Sequence, residues 1–374
     1  MKLMNGFILI CLTVVAFVGC GDEVIQDYSY DIPTLTVGDP VEDLLQFEQR
    51  LESLRLEMNV PAVSAAIVKN RKIVWAKGFG YADLENGVPA TAMTSYHLAS
   101  ITKSIASTVI MQLVEEGKLD LETPVSEFGI ELESSGIVRV RHLFTHTSKG
   151  NPGSVFEYDG GRFLLLDQVI EKASGRSFGE LLLERVVQPL GLTNTAPNLW
   201  DEAMCRLWGV NRIQFEQTMA KAYLDDGKTQ TIYEFYFGTA AGLISSVIDV
   251  AKYSIAVDNY VLVREETQAL ILSPWIYIIG NETAYGLGWF IQQYNGIEII
   301  WHGGCWTGTS GFLLKIPEKE LTFIIIGNTR MLQIAYPQIR NDGDVTRSVI
   351  VQEFLNGFVF GDAELPDEPV YPLD

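Results

Sequence analysis

"YHLASITKSIAS", residues 96–107, places a lysine three positions after a serine in a run that is otherwise small or apolar. In a helix that spacing puts Ser100 and Lys103 on one face, a turn apart. An ammonium is costly beside neighbours such as Ile101 and Ile105, and desolvation favours its neutral form. A neutral amine within hydrogen-bond reach of a hydroxyl takes its proton as the oxygen attacks a carbonyl. The free N–H groups of the helix start would face the developing oxyanion. The plainer alternative is a capping serine followed by a lysine whose head reaches water, and the tetrapeptide alone does not decide between them.

Around this stretch the pattern is regular. Ile101, Ile105, Val109 and Leu113 recur every fourth residue and predict a helix that Gly117 ends. Upstream, "VEDLLQFEQRLESLRLEMNV" carries apolar residues at helical spacing and stops before Pro61. "AVSAAIVKNRKIVWAKGFGYAD" follows as two β-branched runs around Lys69-Asn70-Arg71-Lys72, a hairpin. The middle, about 118–240, is mostly helical, with "GRFLLLDQVIEKASG" and "FGELLLERVVQPLG" each ending at glycine. "AAGLISSVIDVAKYSIAV" is expected as a helix. Strand-like runs come next, "YGLGWFIQQ", "GIEIIWHGG", "SGFLLKIP" and "ELTFIIIGN", and "VTRSVIVQEFLNGFV" closes as a helix. Strands early and late with helices between predict an α/β (α+β) fold, a sheet built from both ends of the chain and a helical insertion.

The first residues, "MKLMNGFILICLTVVAFVGCGDE", have a basic start at Lys2 and an apolar run from Phe7 to Val18. That run is too short to span a bilayer of about 30 Å, so residues 1–19 are expected to be an export signal. "FVGC" resembles the bacterial lipoprotein signal, which predicts a lipid on Cys20; a plain secretory signal with an incidental cysteine is the alternative. Residues 20–40 lack any helical or strand period and are expected to act as a tether, and 361–374 as an acidic tail. The resulting expectation is an exported protein of a bacterial cell envelope, lipid-anchored and facing the periplasm or the exterior. A formal net charge of −20 excludes a phosphate backbone as the natural partner. With Cys11 in the signal and Cys20 acylated, Cys205 and Cys305 remain, and we expect two free thiols.

Taken in order, "PAVSAAIVKNRKIVWAKGFGYADLENGVPATAMTSYHLASITKSIAS", "VRHLFTHTS", "FEYDGGRFLLLDQVIEKASG", "QPLGLTNTAP", "AAGLISSVIDVAKY", "YGLGW" and "WHGGCWTGTSGFLLKIPEKELTFIIIGN" closely resemble the class C β-lactamase-like serine hydrolases. That group includes DD-carboxypeptidases, D-amino-acid peptidases and esterases, and the resemblance runs from about residue 44 to 360. It implies a β-lactamase/transpeptidase-like fold over 41–360, an antiparallel sheet flanked by helices, and no cofactor or metal. Its S-x-x-K element falls on Ser100 as nucleophile and Lys103 as proton acceptor. Its Y-x-N element falls on Tyr158-Asp159-Gly160, with Tyr158 shuttling a proton to the leaving group and Gly160 where the family has asparagine. Its third element falls on His302-Gly303-Gly304: a cation or donor at His302 would orient a substrate carboxylate, and the glycines would let backbone approach substrate. The resemblance further implies that the N–H of Cys305 joins that of Ser100 as the oxyanion hole and that Asn328 contacts a substrate carboxylate.

The activity so implied is hydrolysis of carboxylic esters or D-amino-acid amides and peptides through an acyl-enzyme on Ser100. A β-lactamase proper is an alternative, as is an impaired member that binds small molecules or peptides in the envelope. Other chemistries fit less well. His142 and His146 stand four apart, as zinc ligands on a helix do, but no glutamate lies between them and no third ligand is evident. Gly308-Thr309-Ser310-Gly311 misses the nucleophile-elbow spacing by one residue. Trp200, Trp208, Trp275 and Trp289 are candidates for a groove, though core packing is the commoner role.

Overall fold

The computed structural model describes residues 41–367 except 234–235, 279, 281–282, 335–338 and 340–341, and adds residues 35, 37–39 and 369. The expected signal, Cys20 and most of the tether lie outside the described residues.

α1 (Leu44–Glu57) starts where the Asp43 carboxylate accepts the Gln46 N–H. It leads into β1 (Ala62–Lys69) and β2 (Lys72–Asp83), the predicted hairpin. Asn70 and Arg71 turn it with φ of 51° and 61°, the pair of positive values that matches the strand twist. β3 (Val88–Pro89) and β4 (Ser95–His97) precede a single tight turn, Ala99–Ile101, which opens into α2 (Thr102–Glu115).

The middle is helical as expected: α3 (Val140–Phe144), α4 (Gly160–Leu164), α5 (Leu166–Ser174), α6 (Phe178–Leu182), α7 (Glu202–Trp208) and α8 (Arg212–Thr218), with β5 (Ala222–Tyr223) and β6 (Gln230–Thr231) as a short pair. β7 (Ile244–Ser246) then runs straight into α9 (Val247–Asp258), followed by α10 (Glu265–Ile271). The last third supplies β8 (Ile276–Tyr277), β9 (Ala284–Tyr285), β10 (Phe290–Tyr294), β11 (Ile297–Trp306), β12 (Thr309–Ile316) and β13 (Leu321–Gly327), then α11 (Met331–Ile334) and α12 (Val349–Phe354).

Among the described residues nine strands form one antiparallel sheet in the order β3-β2-β1-β13-β12-β11-β10-β9-β8. The β1–β13 ladder, Ala66 opposite Ile324, joins the two ends of the chain. Alternation along β13 divides the core: Phe323 and Ile325 pack with Phe47 and Phe354 from α1 and α12, while Ile324 and Ile326 pack with Ile105 and Val109 of α2. The sheet is therefore covered on both faces, and α2 crosses its inner face.

The helix expected from Ala240 begins only at Val247. Ser246 caps it by accepting the Asp249 N–H at 3.2 Å, and Ile244–Ser246 pair with β4 instead. Gly242 at φ 101° makes the bend that requires this. The consequence is an extended approach, 240–243, passing beside the start of α2.

Candidate active site

Ser100 sits in the tight turn between β4 and α2. Ala99 before it is held at φ 46°, a left-handed value that costs a residue bearing a Cβ. What holds it is the buried ring of His97, whose Nδ1 accepts the Ala99 N–H at 3.0 Å. Strand β11 closes the other side so tightly that a Cβ on Gly304 would lie 2.2 Å from the Leu98 carbonyl oxygen.

One turn on, Lys103 is 1% exposed and its Nζ lies 3.0 Å from Ser100 Oγ. The same nitrogen donates to the Ala240 carbonyl at 2.7 Å, the oxygen brought in by the extended 240–243 approach. The rings of Tyr158 and Phe163 flank it with centroids at 5.2 and 5.3 Å. The predicted pairing of alcohol and amine is thus realised in a largely apolar sheath.

Tyr158 borders the same cleft as Ser100 and His302. Its ring is stacked on that of His146 at 4.2 Å. His146 is itself at φ 55° and accepts the Asp159 N–H on Nδ1 at 3.1 Å, which fixes its proton on Nε2. Burial first, then the charges of Lys103 and His302, hold His146 far below the usual histidine range. Asp159 does not stand in for the family's missing asparagine. Its carboxylate caps α4 through the Arg162 N–H and pairs with Lys149 at 2.9 Å. At Gly160 a Cβ would stand 3.9 Å from Lys103 Nζ.

His302 is 1% exposed, and burial, reinforced by Lys103, lowers its pKa to about 3. Nδ1 meets the Gly303 carbonyl at 2.7 Å and Nε2 meets the Tyr285 hydroxyl at 3.1 Å. A carbonyl only accepts, so Nδ1 donates and Nε2 receives the Tyr285 O–H. Of the two roles expected for His302, cation or donor, the lowered pKa favours the neutral ring, with Nδ1 a donor to Gly303 and Nε2 receiving the Tyr285 O–H. The glycines also admit close approaches within the chain. Gly304 admits the Leu98 carbonyl, and a Cβ on Gly303 would strike the Gln333 side-chain amide at 2.2 Å, so the close approaches are of the chain to itself.

Cys305 borders the cleft with Ser100. Neither it nor Cys205 forms a disulfide. Asn328 lies elsewhere: fully buried, it accepts the Ala62 N–H at 2.8 Å and donates to the Lys221 carbonyl at 3.1 Å, tying β13 to β1. Its amide is committed to the scaffold, and the carboxylate contact expected of it does not follow. His142 likewise accepts the Arg139 N–H, and among the described residues no group of three or more His, Cys, Asp or Glu is placed to hold a metal. Trp289 is core, and Trp200 lines a separate apolar recess with His97, Met219 and Tyr233.

The sequence matches the Beta-lactamase family over residues 47–335. The chain belongs to that family. PbpX of Bacillus subtilis (strain 168) is 26% identical over 259 residues, 61% of each chain. Protein flp of Staphylococcus aureus (strain N315) is 24% identical over 335 residues, 76% of this chain and 62% of that protein. The matches thus span about three fifths of the length of these relatives. Among solved structures, the octameric penicillin-binding protein homologue from Pyrococcus abyssi superposes with a TM-score of 0.71 at 26% identity, covering 84% of this chain and 77% of that one. The D-amino acid amidase of Ochrobactrum anthropi SV3 gives 0.67 at 18% identity over 83% and 98%, a likeness of fold. Sequence reasoning missed Tyr285 and Ala240 as residues of the site, and weighed His146 only as a metal ligand. Tyr285 and Ala240 stood inside quoted motifs without a chemical role, and a carbonyl oxygen leaves no signature in residue type.

Proposed function

We propose that the protein is an exported serine hydrolase that forms an acyl-enzyme on Ser100 and cleaves carboxylic esters or D-amino-acid amides. The observation that carries this reading is the 3.0 Å contact between Ser100 Oγ and the buried Lys103 Nζ. In its neutral form Lys103 accepts the hydroxyl proton while Oγ adds to the substrate carbonyl. The oxyanion is received by the N–H groups of Ser100 and Cys305. Collapse breaks the bond to the leaving group, which takes a proton through Lys103 and Tyr158, and water then releases the acid by the same route. His302 acts as a neutral wall fixed by Tyr285 rather than as a cation. The amidase and penicillin-binding likenesses support D-amino-acid amides as the nitrogen-bearing substrates.

Gly160 favours a second reading, a slow family member in which ligand binding outweighs turnover, because the side chain that would hold a substrate amide is absent. Intact mass spectrometry after a fluorophosphonate tests the first. One adduct on Ser100, lost in Ser100→Ala, is expected, and no adduct at any pH would reject it. A panel of p-nitrophenyl esters, D-alanyl amides and a chromogenic lactam then separates hydrolase, lactamase and binder. For the envelope anchor, incorporation of radiolabelled fatty acid should disappear in Cys20→Ala, and incorporation that persists counts against lipidation there.

A further inference from the structure

We propose that Asp167 is a positioning residue for the catalytic lysine, fixing the main-chain carbonyl of Ala240 where Gly160 offers no side chain. The inference rests on the reading of Ser100 and Lys103 given above.

Lys103 donates to the Ala240 oxygen at 2.7 Å, so the placement of that peptide helps to aim the base. The adjoining turn, 236–239, is tied to α5 by one carboxylate. Asp167 Oδ1 accepts the Thr239 N–H at 2.7 Å, and Oδ2 accepts the Tyr236 hydroxyl at 3.0 Å. Thr239 Oγ1 donates in addition to the Phe163 carbonyl at 3.3 Å. Phe163 belongs to α4, and its ring centroid lies 5.3 Å from Lys103 Nζ. The fit is specific, because a Cβ on Gly238 would fall 2.1 Å from Asp167 Oδ2. A carboxylate half-buried on a helix flank has no reason to sit there for solubility, and burial pushes its pKa up. What it gains is one bond on each side of a bend that ends at the lysine's acceptor. In the family's pattern a side-chain amide at position 160 would share this task; here the backbone carries it, and Asp167 stiffens the backbone.

The test follows fluorophosphonate acylation of the full chain as a function of reagent concentration and pH. Asp167→Ala should lower the saturating rate constant about 10- to 100-fold, the scale of a misplacement near 1 Å. The half-saturating concentration should stay within about threefold, and labelling should still reach one adduct per chain. Loss of a held acceptor favours neutral Lys103, so the acid limb of the rate profile should move to lower pH, a change that mere loss of folded protein would not produce. Asp167→Asn, which keeps an oxygen for the Thr239 N–H, should retain most of the rate. Gly160→Asn in the Asp167→Ala chain should recover part of it. Should Asp167→Ala yield too little folded protein, Tyr236→Phe carries the test on a smaller scale, with a rate reduced a few-fold and the same displacement of the limb. A wild-type rate and limb in these variants overturns the proposal, as does equal slowing by Asp167→Ala and Asp167→Asn. A wild-type chain that takes no label on Ser100 instead removes the reading of the nucleophile, and this proposal with it.

Discussion

Among the described residues two lysines are buried, and they are treated differently. Lys315, on β12 beneath α9, is 3% exposed and meets the Asp258 carboxylate at 2.8 Å and Ser254 Oγ at 2.6 Å. Lys103, on α2 across the same sheet face, is as buried and meets an alcohol and a carbonyl oxygen. A carboxylate pins an ammonium in its charged form and repays part of its desolvation. An alcohol does not, but it can give up a proton. Burial lowers the pKa of Lys315 while Asp258 pulls it back, and the side chain remains a strut between helix and sheet. What stands beside a buried amine, rather than burial itself, separates scaffold from chemistry.

The comparison is broken most directly by removing each lysine in turn. Lys103→Ala should reduce acylation of Ser100 by about 10³-fold or more, the upper range for loss of a positioned proton acceptor, while thermal denaturation shows a chain still folded. Acylation near the wild-type rate would mean that another group takes the proton. The next effect in size belongs to Tyr158. Tyr158→Phe keeps the stack on His146 but loses the hydroxyl, and steady-state turnover of an ester should fall about 10²-fold. A smaller loss than in Tyr158→Ala would separate proton transfer from stacking; equal losses would leave the ring as a packing element.

How much of this the sequence shows follows from where the information resides. The β1–β2 hairpin, the late strands and α2 were legible because two-residue and four-residue periods are written in side-chain type, and both sheet faces are buried. Ser100 and Lys103 were legible because three residues of helix turn spacing into distance. The start of α9 was not. "AAGLISS" has good helix formers, and only the pairing of β7 with β4, some 150 residues earlier in the chain, overrides them. Asn328 misled because a family position was carried over without its surroundings; here its amide is used to join strands. Whether His302 is a cation or a neutral donor was not legible, because a histidine's charge depends on burial and a single sequence does not report burial.

Lys315 supplies the third test, on stability. Lys315→Met removes a donor from Asp258, Ser254 and Thr322 within a packed layer. Because Asp258 is partly solvated, the cost should be about 1–3 kcal/mol in urea denaturation rather than the larger value for a wholly buried pair. The acylation rate per folded chain should be unchanged. A slowed rate would mean that β12 transmits strain to Ser100, and the contrast between the two lysines would weaken.

The smallest effect is electrostatic. His97 is lowered to about 4 and His302 to about 3, with burial as the leading cause in each, and His146 is held far below the ordinary range. A histidine whose folded pKa is depressed contributes stability that is complete above its unfolded value, about 6.5, and is lost as pH falls toward the folded value. Each such ring should therefore add about 1.4 kcal/mol of destabilisation per pH unit below about 6.5. Lys103 is a secondary cause for His302 and His146, and is not one for His97. Lys103→Met should let those two folded pKa values rise, narrowing the window and making the loss of stability between pH 6 and 4 shallower than in the wild type. Lys315→Met, with no histidine under its charge, should shift the whole curve down and leave the histidine contribution to its slope alone. Urea midpoints taken across that range decide the matter: parallel slopes in the two variants would show that Lys103 does not act on the buried rings at all.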